Sequence, residues 1–306
     1  MRVLITGGAG YIGTVLTKHL VKCPEVDKII IYDNLSRKNS NLFMGERLPN
    51  AAKVELVVGD ILDLRKLNKV LTGVDAVFHL AARVSTPFAN VDADFHEQVN
   101  HWGTSELVSA VEMSEVKKFI YTSSTSVYGG SVATIGEHEI PDPKTFYGIS
   151  KFRGEEHVRR LQKKCNALIL RCANVYGYSR SMRFDAVINR FMFDANFLNR
   201  IQIHGNGQQS RAFIHVNVLV KSLIACLLEE VPSGIYNVVD KNLQILDIVD
   251  VLKNIYPSLE FIFINQHLTL RQMMVEPNSS LRKFVDYSNN LSLTEELQDF
   301  KNRFSF

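Results

Sequence analysis

The feature that most constrains the fold is a short apolar run that leads directly into closely spaced glycines. Residues 2–6 read as a strand, Gly7, Gly10 and Gly13 follow as G-x-x-G-x-x-G, and a helical pattern continues to about Leu20. Gly7 permits a tight turn, Gly10 lets an anion approach the backbone, and Gly13 allows close packing of helix on strand. Since a helix N-terminus attracts anions, this segment predicts a strand–turn–helix unit that binds phosphate.

An acidic residue at the end of the second predicted strand sharpens that prediction. Asp33 lies 20 residues after Gly13, where a carboxylate accepts hydrogen bonds from an adenosine ribose. Together, the glycine motif and Asp33 indicate a dinucleotide site. The alternative is a plain turn between strand and helix. Asp33 favours NAD, because its charge repels a 2′-phosphate. Arg37 and Lys38 lie near enough to leave NADP as the less favoured cofactor, although they also fit a solvated loop.

Short apolar runs alternate with helical patterns through the first half of the chain. The predicted strands are residues 2–6, 28–32, 54–58, 76–80, 118–122 and 167–171, with a later strand at 234–239. The clearest predicted helices are residues 94–113, 146–164, 216–229 and 247–255. This alternation predicts an α/β fold, a Rossmann-like doubly wound parallel sheet with a smaller, discontinuous α/β substrate lobe. The predicted domains are 1–173 plus 214–239 for the sheet and 174–213 plus 240–306 for the lobe.

Composition excludes several classes of protein. The chain has 306 residues, 46% hydrophobic and 22% charged, and a net charge of +3, which predicts neither a nucleic-acid nor a membrane partner. Its four cysteines form no C-x-x-C pair, and its nine histidines show no metal-ligand spacing, so no metal site is expected. The apolar run that follows Met1-Arg2 is too short for a signal peptide, so we expect a cytoplasmic protein.

A second constellation places a phenol and an amine on one helical face. Tyr147 and Lys151 are four residues apart at the start of a predicted helix. A positive charge at about 4 Å contributes about 4 kcal/mol, roughly three pKa units, to ionisation of the phenol. A tyrosine general base near neutral pH is therefore predicted, although such a pair also occurs on surface helices. The hydroxyl cluster 123–126 follows a predicted strand, at the sheet edge where ligands bind.

These motifs together resemble the extended short-chain dehydrogenase/reductase superfamily, and within it the NAD-dependent epimerase/dehydratase family of nucleotide-sugar enzymes such as UDP-glucose 4-epimerase. The matching segments are residues 6–13, 33–36, 59–61, 79–82, 99–104, 123–129, 147–151, 170–177 and 205–216. The resemblance covers about the first 215 residues and weakens from about residue 240.

The resemblance implies roles for particular residues. It implies catalysis by Ser124, Tyr147 and Lys151. It implies contact with NAD by Gly7, Gly10, Tyr11, Ile12, Gly13, Asp33, Asn34, Asp60, Ile61, Leu80, Ala81, Ala82, Asn100, Tyr147 and Lys151. It implies contact with a nucleotide-diphosphate sugar by Ser85, Ser124, Asn174, Arg211 and Arg271. It also implies a homodimer formed through the helices predicted at 94–113 and 146–164.

Departures from the family pattern narrow the expected reaction. Dehydratases of the family carry Asp and Glu directly after the active-site hydroxyl residue, whereas this chain has Thr125 and Ser126. We therefore expect epimerisation through a transient keto-sugar, with Tyr147 as base and NAD as a recycled hydride carrier. The alternative is an NAD(P)H-dependent reductase of a nucleotide-linked keto-sugar. A binding protein without catalysis is disfavoured, because Ser124, Tyr147 and Lys151 are all present.

Overall fold

The computed structural model describes residues 1–38, 41–84, 92–131, 133–267 and 270–306. The strands of these ranges are β1 (Arg2–Thr6), β2 (Lys28–Asp33), β3 (Val54–Val58), β4 (Ala76–His79), β5 (Lys118–Ser124), β6 (Asn166–Cys172), β7 (Asn174–Tyr176), β8 (Arg200–His204), β9 (Ser210–His215), β10 (Gly234–Val238), β11 (Lys241–Gln244) and β12 (Glu260–Ile264). The helices are α1 (Tyr11–Leu20), α2 (Leu64–Val70), α3 (Ala93–His96), α4 (Gly103–Glu112), α5 (Phe146–Leu161), α6 (Val187–Leu198), α7 (Val216–Leu228), α8 (Ile245–Ile255) and α9 (Leu293–Lys301).

The main sheet is parallel and doubly wound, as predicted. Over the described ranges it has seven strands in the order β3-β2-β1-β4-β5-β6-β10. The direction of winding reverses between β1 and β4, which opens a crevice at their carboxyl ends. The helix predicted at 94–113 is confirmed as one continuous segment, in which a π-helical turn at Glu97–Trp102 joins α3 to α4.

We expected the strands of the main sheet to be buried on both faces, and one strand is less buried than that. In β3, Leu56 is 37% exposed and Val58 is 49% exposed. The strand occupies the edge of the sheet, beside β2 alone, so it has fewer neighbours to cover it. An apolar run therefore predicted the strand correctly but its burial wrongly.

The chain from 174 onward contains strands that the sequence did not reveal. β9 pairs antiparallel with β11 and parallel with β7, and β12 pairs parallel with β8. The strand at Gly234–Val238 rejoins the main sheet beside β6, as expected. Buried side chains of the tail at 273–287 pack into the core cluster of the main sheet, whereas α6, α8 and α9 enclose a separate core. The division into two domains stays a prediction.

Lys118, at the start of β5, caps the carboxyl end of α7. Its Nζ donates hydrogen bonds to the carbonyls of Cys226, Leu227 and Glu229 at 2.9, 2.9 and 2.8 Å. Terminal helix carbonyls lack helical partners, and a cation is favourable there. We expect Lys118→Met to lower the free energy of unfolding by about 1–3 kcal/mol, measured by urea denaturation. The matched control is exposed Lys117→Met; equal losses in the two variants would contradict the capping role.

Candidate active site

The glycine turn has the geometry that its spacing predicts. Gly7 has φ +69°, and a Cβ there would lie 2.7 Å from Ala81 Cα. A Cβ on Gly13 would lie 2.6 Å from Gly7 O, so a side chain there would push α1 away from the turn. A Cβ on Gly10 would meet only Gly7 O, at 3.1 Å. Packing therefore requires glycine at positions 7 and 13, whereas a Cβ on Gly10 would have a single close neighbour, so packing restricts that position less.

Asp33 is held against this turn at the end of β2. Its Oδ2 accepts a hydrogen bond from Ala9 N at 3.0 Å, and its Oδ1 accepts one from Leu35 N at 2.9 Å. Nearby, Asn34 Nδ2 donates to Asp60 Oδ2 at 2.9 Å. Ile61 is buried after β3. The structure therefore brings the residues expected at the adenosine end of a dinucleotide to one side of the crevice.

The other wall of the crevice follows β4. Leu80 N donates to Thr6 O at 3.0 Å, and Ala81 N donates to Thr6 Oγ1 at 3.4 Å. Asn100 is fully buried and bridges this wall to α5: its Nδ2 donates to Arg83 O at 2.8 Å and to Ser150 Oγ at 3.0 Å. Its amide thus braces the segment that holds Leu80, Ala81 and Ala82.

The predicted catalytic residues converge at the carboxyl end of β5. Ser124 is the last residue of that strand, and its hydroxyl lies close enough to the phenol of Tyr147, in the first turn of α5, to lower the pKa of that phenol. That turn is fixed by Thr145, whose Oγ1 accepts a hydrogen bond from Gly148 N at 3.0 Å. Lys151 follows one turn later, 2% exposed, with its Nζ 4.3 Å from the centre of the Tyr121 ring.

The electrostatics of this centre differ from the sequence expectation. Burial raises the pKa of Tyr147, and the charge of Arg183 and the nearby hydroxyl of Ser124 oppose that rise. Burial also lowers the pKa of Lys151 to about 7, against the opposing effects of Cys172 and Glu155. The expectation counted only the neighbouring cation and omitted the cost of removing both groups from water. The phenol is therefore a weaker acid than predicted, and the amine titrates near neutral pH.

Arg183 is a charged residue of the site that the sequence did not single out. Its positive charge acts on the phenols of both Tyr147 and Tyr11. Its Nε donates to Asp185 Oδ1 at 2.9 Å, and its side chain is 19% exposed. The residue lies in a segment without periodic pattern between β7 and α6, so only the tertiary structure shows that it reaches the centre.

The residues expected to hold a diphosphate come together around β7 and β9. Asn174, at the start of β7, donates through its Nδ2 to Ala212 O at 3.0 Å. The preceding residue on β9 is Arg211, whose Nη1 donates to the main-chain carbonyl of Arg271. Burial lowers the pKa of Arg211, and the positive charge of Arg271 lowers it further. Ser85, the remaining expected substrate residue, lies outside the described residues.

Buried hydrogen bonds join the glycine turn and α1 to residues 177–181, which follow β7. Tyr11 OH donates to Gly177 O at 2.6 Å, and Ser179 Oγ donates to Tyr11 O at 2.9 Å. One turn along α1, Thr14 Oγ1 donates to Ser181 Oγ at 2.9 Å. Because the phenol of Tyr11 is committed to Gly177, any contact of Tyr11 with a cofactor would use its main chain.

The described ranges contain no group of three His, Cys, Asp or Glu side chains that could hold a metal ion. In the same ranges, no helix is long and apolar enough to cross a membrane.

His79 is fully buried, with its ring nitrogens 2.8 Å from Thr6 Oγ1 and 2.9 Å from Thr104 Oγ1. Burial lowers its pKa well below the usual value, so the ring is neutral and joins β1, β4 and α4.

Comparison with known proteins finds similar nucleotide-sugar dehydratases and epimerases. The human dTDP-D-glucose 4,6-dehydratase is 32% identical over 298 residues, which cover 94% of this chain and 79% of the relative. The UDP-glucose 4-epimerase of Mycolicibacterium smegmatis is 31% identical over 239 residues, 73% of this chain and 72% of the relative. The solved UDP-glucuronic acid 4-epimerase of Bacillus cereus, in complex with UDP-glucuronic acid and NAD, superposes with a TM-score of 0.88 at 25% identity, covering 99% of this chain and 98% of that one.

The model of the NAD dependent epimerase/dehydratase family matches residues 3–238, which include the glycine turn, Asp33 and the Tyr147–Lys151 pair. The seven-stranded sheet and its switch-point crevice also agree with the fold of the solved structures. The chain belongs to the NAD dependent epimerase/dehydratase family.

Proposed function

We propose that this protein is an NAD-dependent epimerase of a nucleotide-diphosphate sugar that acts through a transient keto-sugar. The observation that carries the proposal is the convergence of Ser124, Tyr147 and Lys151 at the end of β5, beside the crevice between β1 and β4. The related UDP-glucose and UDP-glucuronic acid 4-epimerases support the same class of reaction.

The residues at the crevice fit NAD. Gly10 leaves space for a pyrophosphate above the turn, and the start of α1 offers main-chain N–H donors. We assign cofactor contacts to Gly7, Gly10, Tyr11, Ile12, Gly13, Asp33, Asn34, Asp60, Ile61, Leu80, Ala81, Ala82, Asn100, Tyr147 and Lys151. Bound NAD supplies a reversible hydride acceptor. Lys151 is placed to donate a hydrogen bond to the nicotinamide ribose, and Asp33 to accept one from the adenosine ribose.

The protein's own residues handle the proton. Tyr147 accepts the proton of the sugar hydroxyl as that carbon is oxidised and returns it when the carbon is reduced from its other face. Ser124 lies beside the phenol and is placed to hydrogen-bond the same sugar oxygen. Because burial raises the pKa of Tyr147, positive charge near the phenol is needed to favour its ionised form, and Arg183 supplies it. We assign the same role to the protonated amine of Lys151, which follows one turn later on the same helix.

The residues after Ser124 favour epimerisation over dehydration. Loss of water needs an acid and a base beside the sugar, and Thr125 and Ser126 provide neither carboxylate. Ser126 Oγ instead accepts a hydrogen bond from Ser124 Oγ at 3.1 Å. The substrate's diphosphate is assigned to Asn174, Arg211 and Arg271, and Ser85 is kept as a substrate residue from the sequence motif.

The test begins with cofactor released from the purified protein by acid and identified by chromatography. The protein is then incubated without added NAD with UDP-glucose, UDP-glucuronic acid or dTDP-glucose. We expect bound NAD and conversion of a UDP-sugar into its 4-epimer. A 4-keto-6-deoxy product would show a dehydratase, and stoichiometric consumption of added NADH or NADPH would show the alternative reductase.

Arg183 favours a sugar that carries a carboxylate, such as UDP-glucuronic acid. Its guanidinium is near the Tyr147 phenol, where the sugar ring reacts. We expect Arg183→Gln to lower kcat/KM for UDP-glucuronic acid by about 10- to 100-fold, since a hydrogen bond between charged groups contributes about 1.5–3 kcal/mol. UDP-glucose should be less affected.

The control for that prediction is Arg180→Gln. This change removes a guanidinium of the same loop, one that donates to Met44 O and Glu46 O. If Arg183→Gln lowered kcat/KM equally for both sugars, Arg183 would act on the ionisation of Tyr147. That result would contradict recognition of a carboxylate by Arg183.

We also propose a homodimer that forms through α4 and α5. These helices pack against each other, and the residues that directly precede and follow α4, Trp102 and Met113, are 55% and 87% exposed. Large exposed apolar side chains are typical of association surfaces. Sedimentation equilibrium at micromolar concentration should give the mass of two chains, and a single-chain mass would contradict the proposal.

A further inference from the structure

A buried ion pair lies directly behind the proposed catalytic centre. Glu155 on α5 and Arg171 on β6 are 0% and 2% exposed at their side chains. Arg171 donates from Nε to Glu155 Oε1 at 3.0 Å and from Nη2 to Glu155 Oε2 at 2.7 Å. Two parallel hydrogen bonds of this kind fix both side chains in one geometry. The pair therefore connects α5 rigidly to β6.

The same carboxylate reaches the strand that ends in Ser124. Ser123 Oγ donates to Glu155 Oε1 at 2.5 Å. In the register of β5 and β6, Ser123 is opposite Arg171, and Ser124 is opposite Cys172. Glu155 thus contacts both strand ends that border the centre, from a position one helical turn after Lys151.

Arg171 extends the connection to the far edge of the sheet. Its Nη1 donates to Tyr128 OH at 3.0 Å, and Tyr128 OH donates to Asn237 Oδ1 on β10 at 2.9 Å. Removing one member of such a buried pair leaves the other as an uncompensated charge. The network therefore depends on both charges.

Lys151 needs a compensating charge, because its amine is buried. The titratable groups that face it come from four elements: His79 on β4, Tyr121 on β5, Cys172 on β6, and Tyr147 and Glu155 on α5. His79 is neutral, since burial lowers its pKa well below the usual value. Burial raises the pKa of Cys172 to about 12, so that thiol is neutral as well. The carboxylate among these groups is Glu155.

We propose that Glu155 is a positioning residue that joins the Ser124 and Lys151 elements and supplies the compensating negative charge beside the buried Lys151 amine. The inference rests on the proposed function for its catalytic meaning. Its physical content, the charge state of Lys151, does not require that function. Burial without Glu155 favours the neutral amine, which neither assists ionisation of Tyr147 nor carries a positive charge toward a nicotinamide ribose.

The test is an NMR titration of protein labelled with carbon-13 at lysine Cε, without sugar, with the Lys151 signal assigned by its loss in Lys151→Met. Wild type should titrate near the pKa of about 7 set by burial. In Glu155→Gln we expect the pKa of Lys151 to fall by about one to two units, since the carboxylate is lost and Arg171 becomes an unneutralised cation. The matched control is Glu156→Gln, the neighbouring exposed carboxylate, which should leave it unchanged.

A second measurement is the dependence of kcat/KM on pH. With a substrate identified, the alkaline limb of kcat/KM against pH should move to lower pH in Glu155→Gln by the same amount, so activity partly recovers in acid. A merely structural role would lower the rate at every pH without moving the limb. An unchanged pKa of Lys151 in folded Glu155→Gln, or an equal shift in Glu156→Gln, would overturn the inference.

If Glu155→Gln does not fold, the double variant Glu155→Leu with Arg171→Met removes both buried charges together. The pKa of Lys151 should still fall, and an unchanged value would again overturn the inference. Absence of any sugar conversion by wild type, with the NMR shift present, would overturn the proposed function and leave the placement of Glu155 intact.

Discussion

Replacement of Tyr147 by phenylalanine is expected to lower kcat by about 10³-fold, because general acid–base catalysis contributes about 10²–10⁴-fold. The change removes the phenol oxygen beside Ser124 and leaves the ring in the first turn of α5. The thermal midpoint and the amount of bound NAD should therefore stay close to those of wild type. Turnover is followed by chromatographic separation of the two epimers, with cofactor content measured on the same preparation.

The control for this variant is Tyr178→Phe. Tyr178 is 39% exposed, and the centre of its ring lies 6.5 Å from that of Phe300. This substitution should leave kcat within about twofold of wild type, as for surface changes generally. If Tyr147→Phe retained wild-type turnover, the phenol would not be the base and the proposed mechanism would be wrong.

Alanine substitutions in the glycine turn should separate folding from cofactor binding. Gly7→Ala forces a side chain into positive φ and against Ala81 backbone at 2.7 Å. We expect a loss of about 2–4 kcal/mol in the free energy of unfolding, from strain and steric overlap. Gly10→Ala meets only Gly7 O at 3.1 Å, so its apo stability should fall by less than about 1 kcal/mol.

In NAD binding the order of the two variants should be reversed, with the larger loss of affinity in Gly10→Ala. A methyl group on Gly10 occupies the space proposed for the pyrophosphate, so we expect at least about a hundredfold weaker NAD binding, from the loss of close contact with main-chain donors. Gly136→Ala is the control, because a Cβ there has nothing within 4 Å. Urea denaturation and calorimetric titration of NAD measure the two effects. Unchanged NAD affinity in Gly10→Ala would contradict the assigned position of the pyrophosphate.

The parts of the site that the sequence predicts are those that depend on local spacing. The turn at Gly7 and Gly13, the carboxylate of Asp33 and the shared face of Tyr147 and Lys151 each follow from the geometry of one strand or one helix. Their positions could be derived because neighbouring residues in sequence are also neighbours in space.

The parts that it did not predict depend on contacts between distant segments. Glu155 and Arg171 are ordinary members of a helix and a strand until the fold buries them together. Arg183 lies in a segment with no periodicity, and its charge matters only because that segment folds over Tyr147. The raised pKa of Tyr147 has the same origin, because burial cannot be read from the spacing of a phenol and an amine.

The short strands β7 and β11 were not predicted for a related reason. β7 has three residues, β11 has four, and β11 is mostly polar and only partly buried. Such short segments carry too few apolar positions for a period of two to be recognised. Their stability comes from pairing with β9, which is a property of the folded chain.

The hydrogen bonds from Tyr11 and Thr14 to Gly177 and Ser181 constrain how a sugar nucleotide could enter. A hinge rotation of one half of the molecule against the other would break these buried bonds in a region that excludes water, and each broken bond would cost about 1–3 kcal/mol. Ligand exchange by local rearrangement of surface segments avoids that cost. We therefore expect small-angle scattering curves of the free and ligand-saturated protein to superimpose, because the two halves move as one body.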